Sequence, residues 1–64
     1  MDLTTLARYA TEAEAMPPSA TLGDQCYDFA VYAERTRWHR TAREEARQIA
    51  RRFRAVYRRC VGCG

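Results

Sequence analysis

The chain has 64 residues and a net charge of +3, and its eleven basic residues are all arginines. A chain this short buries only about 60% of its unfolded surface, so we expect a single helical domain over residues 1–64 and no enclosed catalytic cleft. It has no apolar run of ~18 residues, no basic region of a signal peptide, and an odd count of three cysteines that does not suit a disulfide framework. A cytoplasmic location without membrane contact is therefore expected.

The first predicted element is a helix over residues 3–15. Asp2 is a plausible N-cap, and Pro17-Pro18 should end the helix, because proline lacks the N–H that a helix requires and disfavours helical geometry in the residue before it. The apolar residues recur at three- and four-residue steps, which places them on one face: Leu3, Leu6, Ala7, Ala10 and Ala13.

A second helix is predicted over residues 22–38, with Thr21 as its cap and Asp24 favourably placed in its first turn. Its apolar stripe consists of Leu22, Cys26, Phe29 and Ala33. Further apolar residues (Tyr27, Val31 and Tyr32) lie off this stripe, as in the central helix of a bundle or in a dimer interface. We favour a homodimer, and a compact monomeric bundle of three helices is the alternative.

The third helix is predicted over residues 42–60, because Thr41 and Glu44 have the spacing of a capping box. Its apolar stripe lies on roughly the opposite side from that of residues 22–38, so a break near residue 41 lets both stripes face one core. The alternative is one continuous helix over residues 22–60, ~58 Å long at 1.5 Å per residue, in a dimer. Both arrangements are all-α.

The most informative feature is the concentration of positive charge. Ten arginines lie between residues 35 and 59 against only Glu44 and Glu45, a net +8, whereas residues 1–34 carry −5. Guanidinium groups bind carboxylates and phosphates in two-pronged fashion. Six of the arginines should form a band about 80° wide on one flank of the last helix, with Trp38 and Tyr57 as aromatic anchors beside them: Arg40, Arg43, Arg47, Arg51, Arg54 and Arg58.

Three uses of this band are consistent with the sequence. The arginines could pair with the acidic front of the same chain, dock on the acidic surface of a protein partner, or bind the phosphates of a nucleic acid or nucleotide. Because no helix-turn-helix, phosphate-binding loop or RNA-binding motif is present, we favour a protein partner. In general character the chain resembles short accessory proteins of GC-rich bacteria or their phages, which commonly bind and inhibit a larger machine.

The cysteines suggest a further alternative, a small regulator stabilised by zinc. Cys60 and Cys63 have the spacing of a zinc knuckle, and Cys26 and His39 are the remaining candidate ligands. A single Cys-x-x-Cys lacks its second half, so neither a metal nor any other cofactor is favoured. No arrangement of residues suggests a catalytic set, and we expect a non-enzymatic protein.

Overall fold

A computed structural model, which describes residues 1–62, contains three α-helices and a short 3-10 turn. The elements are α1 (Leu3–Ala15), α2 (Ala20–Arg35), the 3-10 turn (Arg40–Ala42) and α3 (Arg43–Gly62). No strand occurs within residues 1–62, so the predicted small all-α bundle is confirmed. The alternative of one helix over residues 22–60 is wrong, because the chain is not helical between α2 and the 3-10 turn. In the described part of the chain, no helix has the length and apolar character needed to cross a membrane.

Helix α1 begins and ends where the sequence predicts. The Asp2 carboxylate accepts a hydrogen bond from the Thr5 N–H at 2.8 Å and caps the first turn. At the other end, Met16 is extended and donates its N–H to the Ala13 carbonyl at 3.2 Å. Pro17-Pro18 follows directly and cannot continue the helix, so local sequence alone determines both ends.

Helix α2 begins earlier than predicted, at Ala20 and not at residue 22. The N-cap is Ser19, whose hydroxyl accepts a hydrogen bond from the Leu22 N–H at 3.1 Å. The predicted cap, Thr21, lies inside the first turn and is exposed. A helix can start as soon as the second proline is passed, and Ser19, which immediately follows Pro18, is a strongly preferred cap residue.

Helix α2 also ends earlier than predicted, at Arg35 and not at residue 38. Thr36 is extended, and its hydroxyl donates to the Tyr32 carbonyl at 2.7 Å. The indole Nε1 of Trp38 donates to the Ala33 carbonyl at 2.8 Å. In a longer helix that carbonyl would accept from the backbone N–H four residues on, so the indole replaces the next helical hydrogen bond.

The start of α3 differs from the predicted capping box at Thr41. The His39 ring accepts a hydrogen bond from the Thr41 N–H at 3.3 Å, and the His39 carbonyl accepts from the Ala42 N–H at 2.8 Å. His39 therefore caps a 3-10 turn that contains Thr41. The predicted break between the two helices is present, but it lies at residues 36–39 and not near residue 41, and α3 runs Arg43–Gly62 and not over residues 42–60.

Phe53 of α3 lies at the centre of the core and is only 1% exposed. Its ring stacks on Phe29 of α2 at 5.1 Å between centroids, and Phe29 in turn contacts Tyr9 of α1 at 5.4 Å. Helix α3 packs along both other helices, whereas α1 and α2 meet only briefly. Six of the remaining eleven buried core residues are alanines. The full set is Leu6, Ala10, Ala13, Leu22, Cys26, Ala30, Ala33, Ala46, Ile49, Ala50 and Val56.

Candidate binding site

The predicted arginine band lies on the flank of α3 that adjoins α2. Contacts of Arg54 with two residues of α2 establish this orientation. Four further members are exposed along the same flank, and we call them the arginine row: Arg43, Arg47, Arg51 and Arg58. The sixth predicted member, Arg40, is exposed in the 3-10 turn that precedes the helix. Fifteen residues at 1.5 Å each make the row about 22 Å long.

One member of the predicted band, Arg54, is bound by the chain itself. Its Nε and Nη2 donate to the two carboxylate oxygens of Glu34 at 2.8 and 2.7 Å. The guanidinium carbon also lies 5.8 Å from the ring centroid of Tyr27, within the range of a cation–π contact. The hydrogen bonds from Arg54 lower the pKa of Glu34, which keeps that carboxylate ionised. Arg54 therefore connects α3 to α2.

The opposite flank of α3 is bound to α1 in the same way. Arg52 donates from Nε and Nη2 to the Glu14 carboxylate at 3.0 and 2.6 Å, and from Nη2 to the Thr11 hydroxyl at 3.0 Å. The hydrogen bonds from Arg52, and more weakly the charge of Arg59, lower the pKa of Glu14. Two carboxylates of the acidic front are thus neutralised by arginines of α3, one on each flank.

The arginine row is largely free of such pairing. Within residues 1–62 the only carboxylate within 4.0 Å of the row is Glu44, which lies 3.9 Å from Arg47. Both of these side chains are about 70% exposed, and contacts of this kind contribute little in water. The row therefore presents its positive charge to solvent or to a partner.

A second basic feature was not predicted as a site. Arg35 and Arg37 face Arg43 and Arg47 across a cavity of about 430 Å³ at the junction of α2 and α3, which we call the basic pocket. Trp38 forms part of its wall and packs edge-on against Tyr32, with 6.3 Å between ring centroids. The sequence signal was the pair of arginines just before the turn, but only the reversal of the chain brings them beside the start of α3.

The aromatic residues predicted as interface anchors are half-buried within the chain. Trp38 contacts Tyr32, and Tyr57 contacts Tyr27 at 5.4 Å between ring centroids. Tyr27 and Tyr32 are two of the apolar residues of α2 whose position suggested a dimer. Each has an aromatic neighbour in the same chain, yet Tyr27 remains 45% and Tyr32 38% exposed, so the homodimer stays a prediction.

The candidate zinc ligands are not brought together within residues 1–62. His39 precedes α3, whereas Cys60 lies near its end, and the helix alone extends about 26 Å from Arg43 to Cys60 at 1.5 Å per residue. Cys26 is buried, and both burial and the proximity of Cys60 raise the pKa of its thiol. Within residues 1–62 no three His, Cys, Asp or Glu side chains come together as metal ligands. Cys63, the remaining predicted ligand, lies outside the described residues.

A third surface feature is an apolar groove where α1 and α2 separate. It has a volume of about 370 Å³, and Phe29 and Phe53 form its floor while Tyr9 lies at its wall. Glu12 and Asp28 lie at its exposed rim. The groove is thus apolar with an acidic border, opposite in charge to the arginine row.

Comparison with models of protein families, with curated proteins and with solved structures found no match.

Proposed function

We propose that this chain is a non-enzymatic helical module that docks on the acidic surface of a larger protein and inhibits it by covering that surface. The observation that carries the proposal is the arginine row: Arg43, Arg47, Arg51 and Arg58 are exposed on one flank of α3. The two arginines that the fold itself uses, Arg52 and Arg54, are already paired with carboxylates. No interhelical ion pair within residues 1–62 therefore involves the row.

The spacing of the row suits an extended acidic surface. Side chains three and four residues apart lie above one another on a helix, so Arg43, Arg47 and Arg51 present guanidinium groups about one turn apart, and Arg58 follows about two turns after Arg51. Like charges this close repel one another unless anions lie nearby, and a guanidinium fork fits a carboxylate with two parallel hydrogen bonds. Trp38 and Tyr57 lie near opposite ends of α3, and their accessible ring edges would add apolar contacts.

The test compares two double variants that change the net charge equally. Arg51→Glu/Arg58→Glu reverses the row, and Arg8→Glu/Arg59→Glu reverses two exposed arginines outside it. Each variant is immobilised, incubated with an extract of the cells that encode the chain, and the retained proteins are quantified. We expect one acidic protein to be retained by wild type and by the Arg8/Arg59 variant, and lost from the Arg51/Arg58 variant. Equal retention by both variants contradicts the proposal.

Nucleic acid is the second candidate ligand for the same row, because phosphates also accept guanidinium hydrogen bonds. The net +8 of residues 35–59 favours it. Binding of this kind requires no acidic protein and weakens steeply as salt is raised. A mobility-shift titration with a random duplex at low and high salt separates the two candidates.

Self-association is a further proposal, and the acidic rim of the apolar groove favours it. Glu12 and Asp28 of one copy would face Arg51 and Arg58 of another, and the apolar floor of the groove, with Tyr9 at its wall, would be covered by the second copy. Native mass spectrometry gives the subunit count directly. A dimer that dissociates in Arg51→Glu/Arg58→Glu supports this arrangement, and a monomer at all concentrations excludes it.

A further inference from the structure

We infer that the basic pocket between α2 and α3 binds a small molecule through a pyrophosphate group. The site shares Arg43 and Arg47 with the arginine row, but it also requires Arg35 and Arg37, and it does not depend on the docking proposal. Its basic wall has two sides: Arg35 and Arg37 come from the end of α2 and the residues after it, and Arg43 and Arg47 come from the first two turns of α3.

The donors of the pocket are mostly unoccupied. No carboxylate of residues 1–62 lies within 4.0 Å of Arg35, Arg37 or Arg43. The fourth arginine, Arg47, has only the loose 3.9 Å contact with Glu44, whose side chain is not part of the wall. Three exposed arginines therefore line the pocket without a counter-charge from residues 1–62 within 4.0 Å.

Several acceptors at the end of α2, in contrast, are occupied. The carboxylate of Glu34, the one acidic residue in the wall, is held by two hydrogen bonds from Arg54. The Ala33 carbonyl accepts from the Trp38 indole at 2.8 Å. The adjoining Tyr32 carbonyl accepts from both the N–H and the hydroxyl of Thr36, at 3.0 and 2.7 Å. The Glu34 carboxylate and the carbonyls of Tyr32 and Ala33 thus each accept hydrogen bonds from the chain itself.

The charge and the size of the pocket indicate the ligand. With Glu34 neutralised by Arg54, four guanidinium groups remain, which exceed what a single carboxylate can balance. Phosphate oxygens match the guanidinium fork and carry more charge per group. A cavity of about 430 Å³ has room for two linked phosphates. Inorganic pyrophosphate and a nucleoside diphosphate share this chemistry, and the experiment distinguishes them.

Trp38 makes the test direct, because it is the single tryptophan of the chain and lies in the pocket wall. Inorganic pyrophosphate and, separately, a nucleoside diphosphate are titrated while tryptophan fluorescence is recorded, with calorimetry as a second readout. We expect saturable binding of both. Tighter binding of the nucleotide identifies it as the source, whereas equal affinities identify the inorganic group. No saturable signal in either readout up to about 10 mM, a range in which even weak complexes form, overturns the inference.

Two variants of equal charge change provide the control. Arg37→Ala/Arg43→Ala removes one arginine from each side of the pocket, and Arg8→Ala/Arg59→Ala removes two exposed arginines outside both the pocket and the arginine row. The first should weaken binding at least about tenfold, as expected for the loss of charge-assisted hydrogen bonds, and the second should leave it unchanged. Equal affinities in the two variants overturn the inference. Arg58→Glu changes the end of the row that is remote from the pocket, so it should retain pyrophosphate binding even where protein docking is weakened, and the two proposals fail separately.

Discussion

Arg54 of α3 donates two hydrogen bonds to the carboxylate of Glu34 on α2, at 2.8 and 2.7 Å. This pair divides the predicted arginine band into one member that the fold uses and others that remain exposed. It also neutralises the one carboxylate in the wall of the basic pocket. A single intramolecular contact thus shapes both surfaces that we propose for binding.

The equivalent pair on the other flank, Arg52 with Glu14, should contribute modestly to stability. Both side chains are more than a third exposed, and pairs of this kind contribute about 0.5 kcal/mol once solvent screening is included. A double-mutant cycle with Arg52→Met and Glu14→Gln, measured by chemical denaturation, should give a coupling free energy of that size. A coupling free energy near zero would show that the pair does not contribute to the stability of the fold.

Stability should fall as the solution becomes acidic. Hydrogen bonds from arginine lower the pKa of Glu14 and Glu34 below the ordinary value of 4.5. A carboxylate with a lowered folded pKa stabilises fully above its unfolded pKa, and this contribution is lost as pH falls through the folded pKa. We expect Tm to decline below about pH 4.5 and the decline to be shallower in Glu14→Gln/Glu34→Gln. Some dependence of Tm on pH should persist in this variant, because the hydrogen bond that Asp2 accepts from the Thr5 N–H also lowers the pKa of Asp2. Identical pH profiles for variant and wild type would contradict this account.

The N-cap of α2 can be identified by two alanine substitutions. Ser19→Ala removes the hydroxyl that accepts from Leu22 and should lower the free energy of unfolding by about 1 kcal/mol. Thr21→Ala changes an exposed residue inside the helix and should be neutral or slightly stabilising, since alanine has the higher helix propensity. Thermal denaturation followed by circular dichroism measures both. A larger loss of stability in Thr21→Ala than in Ser19→Ala would instead identify Thr21 as the N-cap.

The close approach of α2 and α3 depends on Gly23. A Cβ at this position would lie 3.0 Å from the Cβ of Cys60. Gly23→Ala should therefore destabilise the protein by about 1 kcal/mol, because overpacking outweighs the gain in helix propensity. In a Cys60→Gly background the same change should stabilise, whereas in Cys60→Ser, which retains the Cβ, it should not. Denaturant unfolding of these variants measures the sign, and stabilisation by Gly23→Ala alone would show that the helices separate at little cost.

The core has little tolerance for loss of its central ring. Phe53 is 1% exposed and stacks on Phe29, and replacing such a residue with alanine costs about 3–5 kcal/mol. A chain of this length has only about 3–10 kcal/mol in total. We expect Phe53→Ala to lose cooperative unfolding, Phe53→Leu to retain it, and Val61→Ala, at an exposed position, to match wild type. A cooperative transition in Phe53→Ala near that of wild type would place the core elsewhere.

Where the determinants were local, the sequence was sufficient. Asp2 and Pro17-Pro18 act on adjacent backbone, and both ends of α1 were predicted to the residue. The ends of α2 and the start of α3 differ from their predicted positions, because side chains compete for the same backbone groups. Ser19 was available before Thr21, Trp38 took a helical carbonyl, and the His39 ring capped a 3-10 turn.

For the candidate sites, the sequence by itself determined that α3 carries a flank of arginines, because helical periodicity places residues three and four apart on one side. Only the tertiary structure decided which arginines are free. Glu14 and Glu34 lie 38 and 20 residues from the arginines they bind, and no local rule selects among ten candidates. The basic pocket likewise required the turn that brings Arg37 beside Arg43. Charge pairing between helices depends on how the helices pack, and the spacing of residues within one helix gives no information about which residues of another helix lie beside it.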